Sequence, residues 1–203
     1  MLELYVSPPS PYVRKVRVLL AEIGRTDAVK MTPVTVRPGD SGALPLAQVP
    51  LGKIPALARD DGPTLYDSRV ITRYLDATFE GGLYPEPPRL WETLTLEATA
   101  DGILDAAVIM VYEGRMRPAE LQHEPWLDAQ WAKVERALDA VESRWMATLA
   151  APVDMGQLAL GCALGYLDFR HANRNWRSTR PQLDAWERSF ATRDSLRTTR
   201  PEG

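Results

Sequence analysis

The chain of 203 residues has one cysteine, Cys162, so it can form no internal disulfide and is not a cysteine-rich zinc scaffold. Its two histidines, His123 and His171, stand far apart and neither has metal-ligand spacing to a partner. No metal site is therefore expected. Basic residues are not in excess: 24 Lys and Arg against 27 Asp and Glu give a formal charge of −3. A nucleic-acid binder shows the opposite balance, so no nucleic-acid partner is expected. No run approaches the ~20 apolar residues that a membrane span needs. Met1 to Val6 lacks the basic and apolar regions of a signal peptide. These absences point to a cytoplasmic protein with no membrane partner. Internal repeats and low-complexity segments are also missing.

What is there is ordinary globular material, 45% hydrophobic and 25% charged. At roughly 100–200 residues per domain, the length allows one large domain or two small ones. The character changes near residue 80, and all six tryptophans lie after it. Gly81 to Pro88 is too rich in glycine and proline to continue a helix or a central strand. It reads as a linker at 81–88 between domains at 1–80 and 89–203.

The first half alternates strand and helix signals. Leu2, Leu4 and Val6 mark a strand. Pro11 to Ile23 reads as a helix closed by Gly24. Val29 to Val36 is an edge or irregular strand because of Pro33. Pro55 to Ala58 and Thr64 to Tyr66 pair across an Asp60-Asp61-Gly62 turn. Ser68 to Thr78 is a helix with Val70, Ile71, Tyr74 and Leu75 inward. The second half reads as helices alone. Leu90 to Met116 is a long one, with Leu94, Ala98, Leu104 and Val108 on its stripe. Pro125 opens another, which runs through Trp131 and Leu138. Asp154 to Gln157 is a capping box opening the helix Gln157 to Phe169, apolar nearly all round and expected to be central. Pro181 to Arg193 is the last helix. The fold class is an α/β domain followed by an all-α one.

Three constellations carry chemistry. Ser10, with Pro11 after it, starts the first helix, where backbone N–H groups and the dipole favour an anion; as an N-cap alone it would also be ordinary. Gly52-Lys53-Ile54-Pro55 precedes a strand, and a cis Pro55 would turn the Ile54 backbone toward a peptide-like ligand. An ordinary trans proline is the plainer alternative. Asp67-Ser68 opens the helix Ser68 to Thr78 and suits a carboxylate beside an ammonium, or simple capping. Arg14, Lys15 and Arg17 form a basic run at the helix start, with Lys15 and Arg17 read as a solvated face and Arg14 open between that face and a binding role. His123 and His171 read as surface or capping residues, and Cys162 as an inert core thiol.

Taken in order, Ser10 with VRKVRVLL, LGKIPAL (Leu51 to Leu57) and LYDSRVITRYLD (Leu65 to Asp76) resemble the thioredoxin-like domain of cytosolic glutathione transferases. GCALGYLDFR (Gly161 to Arg170) and the stretch Asn175 to Pro201 resemble that family's helical domain. The resemblance implies a serine-type, bacterial-like transferase of detoxification type, with glutathione as co-substrate and a small hydrophobic electrophile. It implies that Ser10 donates to the glutathione sulfur, with Tyr12 as its first rival and Tyr5 and Ser7 behind. Ile54 would pair with the cysteinyl backbone ahead of a cis Pro55. Asp67 and Ser68 would hold the γ-glutamyl group, and Lys53 would face the glycyl carboxylate. Tyr12, Arg14, Val108, Tyr112, Arg115 and Met116 are candidates for the electrophile site. Where a catalytic cysteine stands in some relatives, this chain has Tyr12. The resemblance also implies a homodimer, with Arg69, Arg73 and Tyr74 as contact candidates. Two other readings stay open on this scaffold: a glutathione-dependent disulfide reductase or isomerase, and a non-catalytic glutathione- or partner-binding protein.

Overall fold

The computed structural model describes residues 1–201. The chain divides into two compact units, Met1–Tyr84 with Asp194–Gly203, and Pro85–Arg193.

The first unit is built on a mixed four-stranded sheet of β1 (Leu2–Val6), β2 (Lys30–Pro33), β3 (Ala56–Arg59) and β4 (Gly62–Leu65), in the order β2-β1-β3-β4. Pro33 ends β2 early, as its missing N–H requires, and β2 lies at the sheet edge. β1 runs parallel to β2 and antiparallel to β3, which is antiparallel to β4. The α1 helix (Pro11–Glu22) ends at Gly24, whose φ of +66° suits glycine and whose N–H reaches the Ala21 carbonyl at 3.2 Å. Leu4, Val16, Leu20, Leu57, Ile71 and Leu75 are fully buried and form this unit's core. The α2 helix (Ser68–Thr78) buries Ser68, Ile71, Thr72, Leu75 and Asp76, so its inward stripe lies one residue round from the expected one. Val70 is exposed instead.

Two further features depart from the sequence expectation. Asp76 is buried and accepts from the N–H groups of Leu83 and Tyr84 at 2.9 and 3.1 Å, so the expected linker is tied to this unit as far as Tyr84. The C-terminal stretch also returns here rather than ending the helical domain. The short helix α8 (Asp194–Arg197) packs on α1: Leu196 is buried, and Ser195 Oγ donates to Glu22 Oε2 at 2.6 Å.

The second unit is helical: α3 (Arg89–Met116), α4 (Glu124–Arg144), α5 (Met146–Leu149), α6 (Met155–His171) and α7 (Pro181–Phe190). α6 is buried along most of its length and packs against α3. The close approach needs Gly156, where a Cβ would sit 2.8 Å from the Thr93 carbonyl oxygen. The α3 core stripe is Leu96, Ala100, Ile103, Leu104 and Ala107, not the expected Leu94 and Ala98. Asp154 caps α6 as expected, accepting from the Gln157 N–H at 3.2 Å. The reciprocal half of the box is replaced. Gln157 Nε2 donates to the carbonyls of Thr148, Ala151 and Pro152, fastening the loop before the helix. Asp154 also accepts from the buried Thr93 hydroxyl at 2.8 Å, which ties the start of α6 to α3. Between α6 and α7, Arg177 gathers Asp168, Asp184 and Glu187 at 2.5, 2.5 and 2.6 Å.

His171 is buried rather than superficial, at the end of α6, with its Nε2 3.0 Å from the Ala107 carbonyl oxygen and its ring beside Trp131. Burial holds its pKa below the ordinary imidazole value. The Ala107 hydrogen bond opposes that shift, and the Arg174 and Arg170 charges add to it. The ring is therefore neutral, with Nε2–H donating to Ala107.

Two outcomes are expected. Asp154→Ala should lose about 2–4 kcal/mol in urea unfolding, combining a lost cap with a buried Thr93 hydroxyl left unpaired. Asp154→Asn, which can still cap, should lose less. For His171, the native state takes up a proton less readily than the unfolded chain. Its contribution is complete above the unfolded value of about 6.5 and is lost as pH falls from there toward the folded pKa. Unfolding free energy should decline over that window in the wild type, and His171→Gln should flatten the decline.

Candidate functional site

Register brings the three sequence constellations to one end of the sheet. Tyr5, near the end of β1, pairs with Ala56 at the start of β3, and Leu57 pairs with Leu65 at the end of β4. The Ser7–Ser10 segment, the Ile54–Pro55 step and the Tyr66–Ser68 turn therefore leave the sheet side by side. Two helix N-termini, those of α1 and α2, start from that end.

Ser10 is the N-cap of α1, with Pro11 in the first turn. Its Oγ accepts from the Val13 N–H at 3.3 Å, and its own N–H donates to the Ser7 carbonyl at 3.1 Å. Accepting through oxygen leaves the hydroxyl proton able to donate outward. The Ile54–Pro55 peptide is cis, as is Tyr66–Asp67. Pro55 is buried, Ile54 is half-buried and Lys53 is exposed. Gly52, at φ +60°, lets the chain pass against Ser41, whose side chain any Cβ there would strike.

Asp67 caps α2, accepting from the Arg69 N–H at 3.0 Å and from the Arg69 guanidinium at 2.9 Å. Partial burial pushes its carboxyl up. The Arg69 hydrogen bonds and charge, with the Lys15 charge behind them, outweigh that and hold the pKa below the ordinary value. Ser68, next in the chain, is buried. The first N–H groups of a helix have no carbonyl partners within it, so this turn presents donors beside a fixed carboxylate.

Lys15 is where the sequence reading errs most. Its side chain is fully buried, not solvated, and its charge acts on Asp67. A lysine among apolar helix positions reads as a surface residue, and only the fold reveals what its long stem covers. Arg14 is also buried. It donates to the Leu196 carbonyl at 3.1 Å, and its Nε and Nη1 have no hydrogen-bond partner.

Tyr12 is half-buried in the first turn of α1. The remaining candidates lie on α3. Val108 is half-buried, while Tyr112, Arg115 and Met116 are exposed on the last turns. Tyr112 and Arg115 act electrostatically on Tyr166 of α6, and Tyr166 hydrogen-bonds Arg170. Burial is the largest influence on Tyr166 and pushes its phenol up to about 12. These α6 partners carry no local motif in the sequence. The helical periodicity that places them opposite α3 was the available signal. Cys162 is fully buried in α6. No group of His, Cys, Asp and Glu suited to a metal occurs among the described residues. No helix among them is long and apolar enough to cross a membrane.

The family models described as the glutathione S-transferase N-terminal and C-terminal domains match residues 9–78 and 124–189. The chain is 34% identical over 206 residues, 98% of each chain, to YibF of Escherichia coli K12, an uncharacterized GST-like protein. A crystal structure of a glutathione transferase family member from Pseudomonas fluorescens Pf-5 with bound glutathione is 44% identical, with a TM-score of 0.96 over the whole of both chains. A second structure from that organism, with bound S-(propanoic acid)-glutathione, is 45% identical over the whole of both chains at a TM-score of 0.91. The four-stranded unit has the thioredoxin-like order and the second unit is helical, so sequence, fold and relatives agree: the chain belongs to the glutathione S-transferase family.

Proposed function

We propose that this protein is a glutathione transferase that activates the glutathione thiolate for attack on a small electrophile. One observation carries the reading: two helix N-termini and the Ile54–Pro55 step emerge side by side from one end of the sheet. A tripeptide has the matching parts. Its thiol lies at the α1 N-terminus beside the Ser10 hydroxyl. Its cysteinyl amide pairs with the Ile54 backbone. Its γ-glutamyl carboxylate meets Ser68 and the α2 N-terminus, with the buried Lys15 charge beneath, and its ammonium meets Asp67. A carboxylate offers about four acceptor positions, so Asp67 has capacity beyond Arg69. Lys53 faces the glycyl carboxylate. The glutathione bound to the Pseudomonas relative supports this assignment, and its S-(propanoic acid) conjugate supports a site that admits a short substituent on sulfur.

The chemistry follows from charge. A free thiol has a pKa near about 8.5, so little thiolate exists at neutral pH. The Ser10 hydroxyl and the positive end of α1 favour the anion over the thiol. The thiolate attacks an electrophilic carbon. A C–S bond forms, and the leaving group departs with its electron pair, or an opening epoxide oxygen takes a proton from water. Ser10 donates a hydrogen bond throughout and forms no covalent bond. With Tyr12 in place of a cysteine and Cys162 buried, the protein's own thiols take no part.

Ser10→Ala should raise the pKa of the bound thiol by at most roughly one to two units, the equivalent of losing a charged hydrogen bond of about 1.5–3 kcal/mol. Glutathione affinity should change little. Asp67→Ala should do the reverse, raising the glutathione requirement more than it lowers saturated turnover. Ultraviolet titration of the bound thiolate in wild type, Ser10→Ala and Tyr12→Phe checks the donor; a shift in Tyr12→Phe alone would move the role to Tyr12. A chlorodinitrobenzene assay beside a disulfide-reduction assay checks the reaction, and glutathione binding without turnover in either favours a binding protein. A homodimer is also expected, with Arg69, Arg73 and Tyr74 of α2 in contact. Light scattering that gives the monomer mass at micromolar protein overturns it.

A further inference from the structure

The first half of α1 holds a charge that no structural role explains. Arg14 is only 6% exposed, and its Nη2 donates to the Leu196 carbonyl at 3.1 Å. Its Nε and Nη1 are buried without a hydrogen-bond partner, and no carboxylate pairs with it among the described residues. The carboxylates on α1 and on the elements packed against it are engaged elsewhere or exposed. Glu22 accepts from Ser195, and Asp194 pairs with Arg197 at 3.0 Å. On α2, Asp67 pairs with Arg69, and Asp76 accepts from the Leu83 and Tyr84 N–H groups. Asp27 is exposed beyond the far end of α1. Of the neighbouring cations, Lys15 acts on Asp67 and Arg17 is half-buried. An arginine cannot shed its proton in a protein, so the charge on Arg14 is permanent. Burying it incompletely paired is costly. The positive end of the α1 dipole, about one turn away, adds to that cost.

The fold directs this charge to one place. Residues four apart share a helix face, so Ser10, Arg14, Val18 and Glu22 lie on one stripe of α1. The short helix α8 lies along that stripe, with its Ser195 hydroxyl on Glu22 and its Leu196 carbonyl on Arg14. Val18 and Leu196 are buried between them. Every Cα–Cβ bond of a helix tilts toward its N-terminus, so the Arg14 side chain sets out from α1 in the direction of the Ser10 turn. At that turn the Ser10 hydroxyl keeps its proton for a ligand, and the first N–H groups of the helix point outward. A helix N-terminus, a hydroxyl donor and a buried unpaired guanidinium are together complementary to an anion.

We propose that Arg14 is the fixed charge behind the sulfur anion: it lowers the pKa of a thiol held at the N-terminus of α1, and α8 keeps it in place. The inference deepens the transferase reading and rests on it for the identity of the thiol; the charge at the helix end stands on the geometry of the first unit. Ser10 and Arg14 act differently. Ser10 donates a directional hydrogen bond, whereas Arg14 acts through space in a setting poor in water, where a charge is screened little. Through α8, the C-terminal segment shares in the chemistry of the nucleophile.

The test places a thiol at the helix end without glutathione. Ser10→Cys is titrated by its ultraviolet thiolate absorbance in the full-length protein, alone and combined with Arg14→Gln or Arg14→Lys. Cys162 is fully buried, and the wild type serves as the blank. The Ser10→Cys thiol should titrate below the ordinary value of about 8.5. Arg14→Gln removes the charge and can still donate to the Leu196 carbonyl. It should raise that pKa by about one unit, tenfold in the thiol–thiolate equilibrium. Arg14→Lys keeps the charge and should preserve most of the lowering. No shift with Arg14→Gln overturns the inference, as does an equal shift with both variants, because packing rather than charge is then responsible. Where the Arg14 variants fail to fold, salt decides on Ser10→Cys alone. Its pKa should rise by less than about 0.3 units between about 50 and about 500 mM salt, since a buried charge is screened little. A larger rise assigns the lowering to exposed charges and overturns the inference. With Ser10 in place, the thiol of bound glutathione should shift upward in Arg14→Gln as well. A Ser10→Cys thiol that responds to Arg14 in a protein that binds no glutathione sustains the charge and overturns the transferase reading. Bound glutathione that titrates low in the wild type and equally low in Arg14→Gln overturns the inference alone.

Discussion

Antiparallel pairing of β3 on both of its edges is the constraint from which the proposed glutathione site follows. Because β1 and β4 both end where β3 begins, three segments distant in sequence leave the sheet together. None of the three needs a special side chain to reach that place. A slip of one residue in either pairing would send every side chain of the shifted strand to the opposite face. Leu4 and Leu57 are fully buried and face each other across β1 and β3, so such a slip would bring buried leucines out and is resisted by the whole core. The register that packs the core is thus the register that assembles the ligand-binding end.

Charge is handled differently in the two units. In the first, a buried lysine and a capping aspartate act on one another near a helix N-terminus, so fixed positive charge lies where an incoming carboxylate is expected. Removing charged groups from water is costly, and such groups persist where they are paired or serve binding. In the helical unit, the Arg177 cluster is the satisfied kind: three carboxylates surround one guanidinium.

The elements legible from sequence were those with local signals. Gly24 closes α1, Asp154 caps α6, Pro125 sits in the first turn of α4, and Asp60-Asp61-Gly62 turns β3 into β4, each by chemistry within a few residues. The errors share a cause. The α2 and α3 stripes were displaced because a helix with apolar residues on several faces does not announce which face meets the core. The return of Asp194–Arg197 to α1 joins residues far apart in sequence through packing, the Ser195 hydroxyl on Glu22 and the Arg14 guanidinium on the Leu196 carbonyl, none of which leaves a motif. Half of the Asp154 box was replaced because the Gln157 amide turns its Nε2 to three loop carbonyls. At the site, Ser10 and Ser68 were visible as helix starts, while Lys15 was hidden by its residue type.

A last consequence concerns how such a protein divides constancy from variation. The proposed glutathione end is made largely of backbone: helix N-termini, a strand start and a cap. Substitutions on the surface of the fold leave those donors in place, so the nucleophile's site depends on the fold as much as on particular side chains. Side chains projecting from the surfaces of α3 and α6 are under no such constraint. In the proposed reading, activation of the thiolate draws on the first kind of structure and choice of the electrophile on the second. Family membership therefore speaks for the fold, whereas the electrophile has to be read from the side chains of this chain itself.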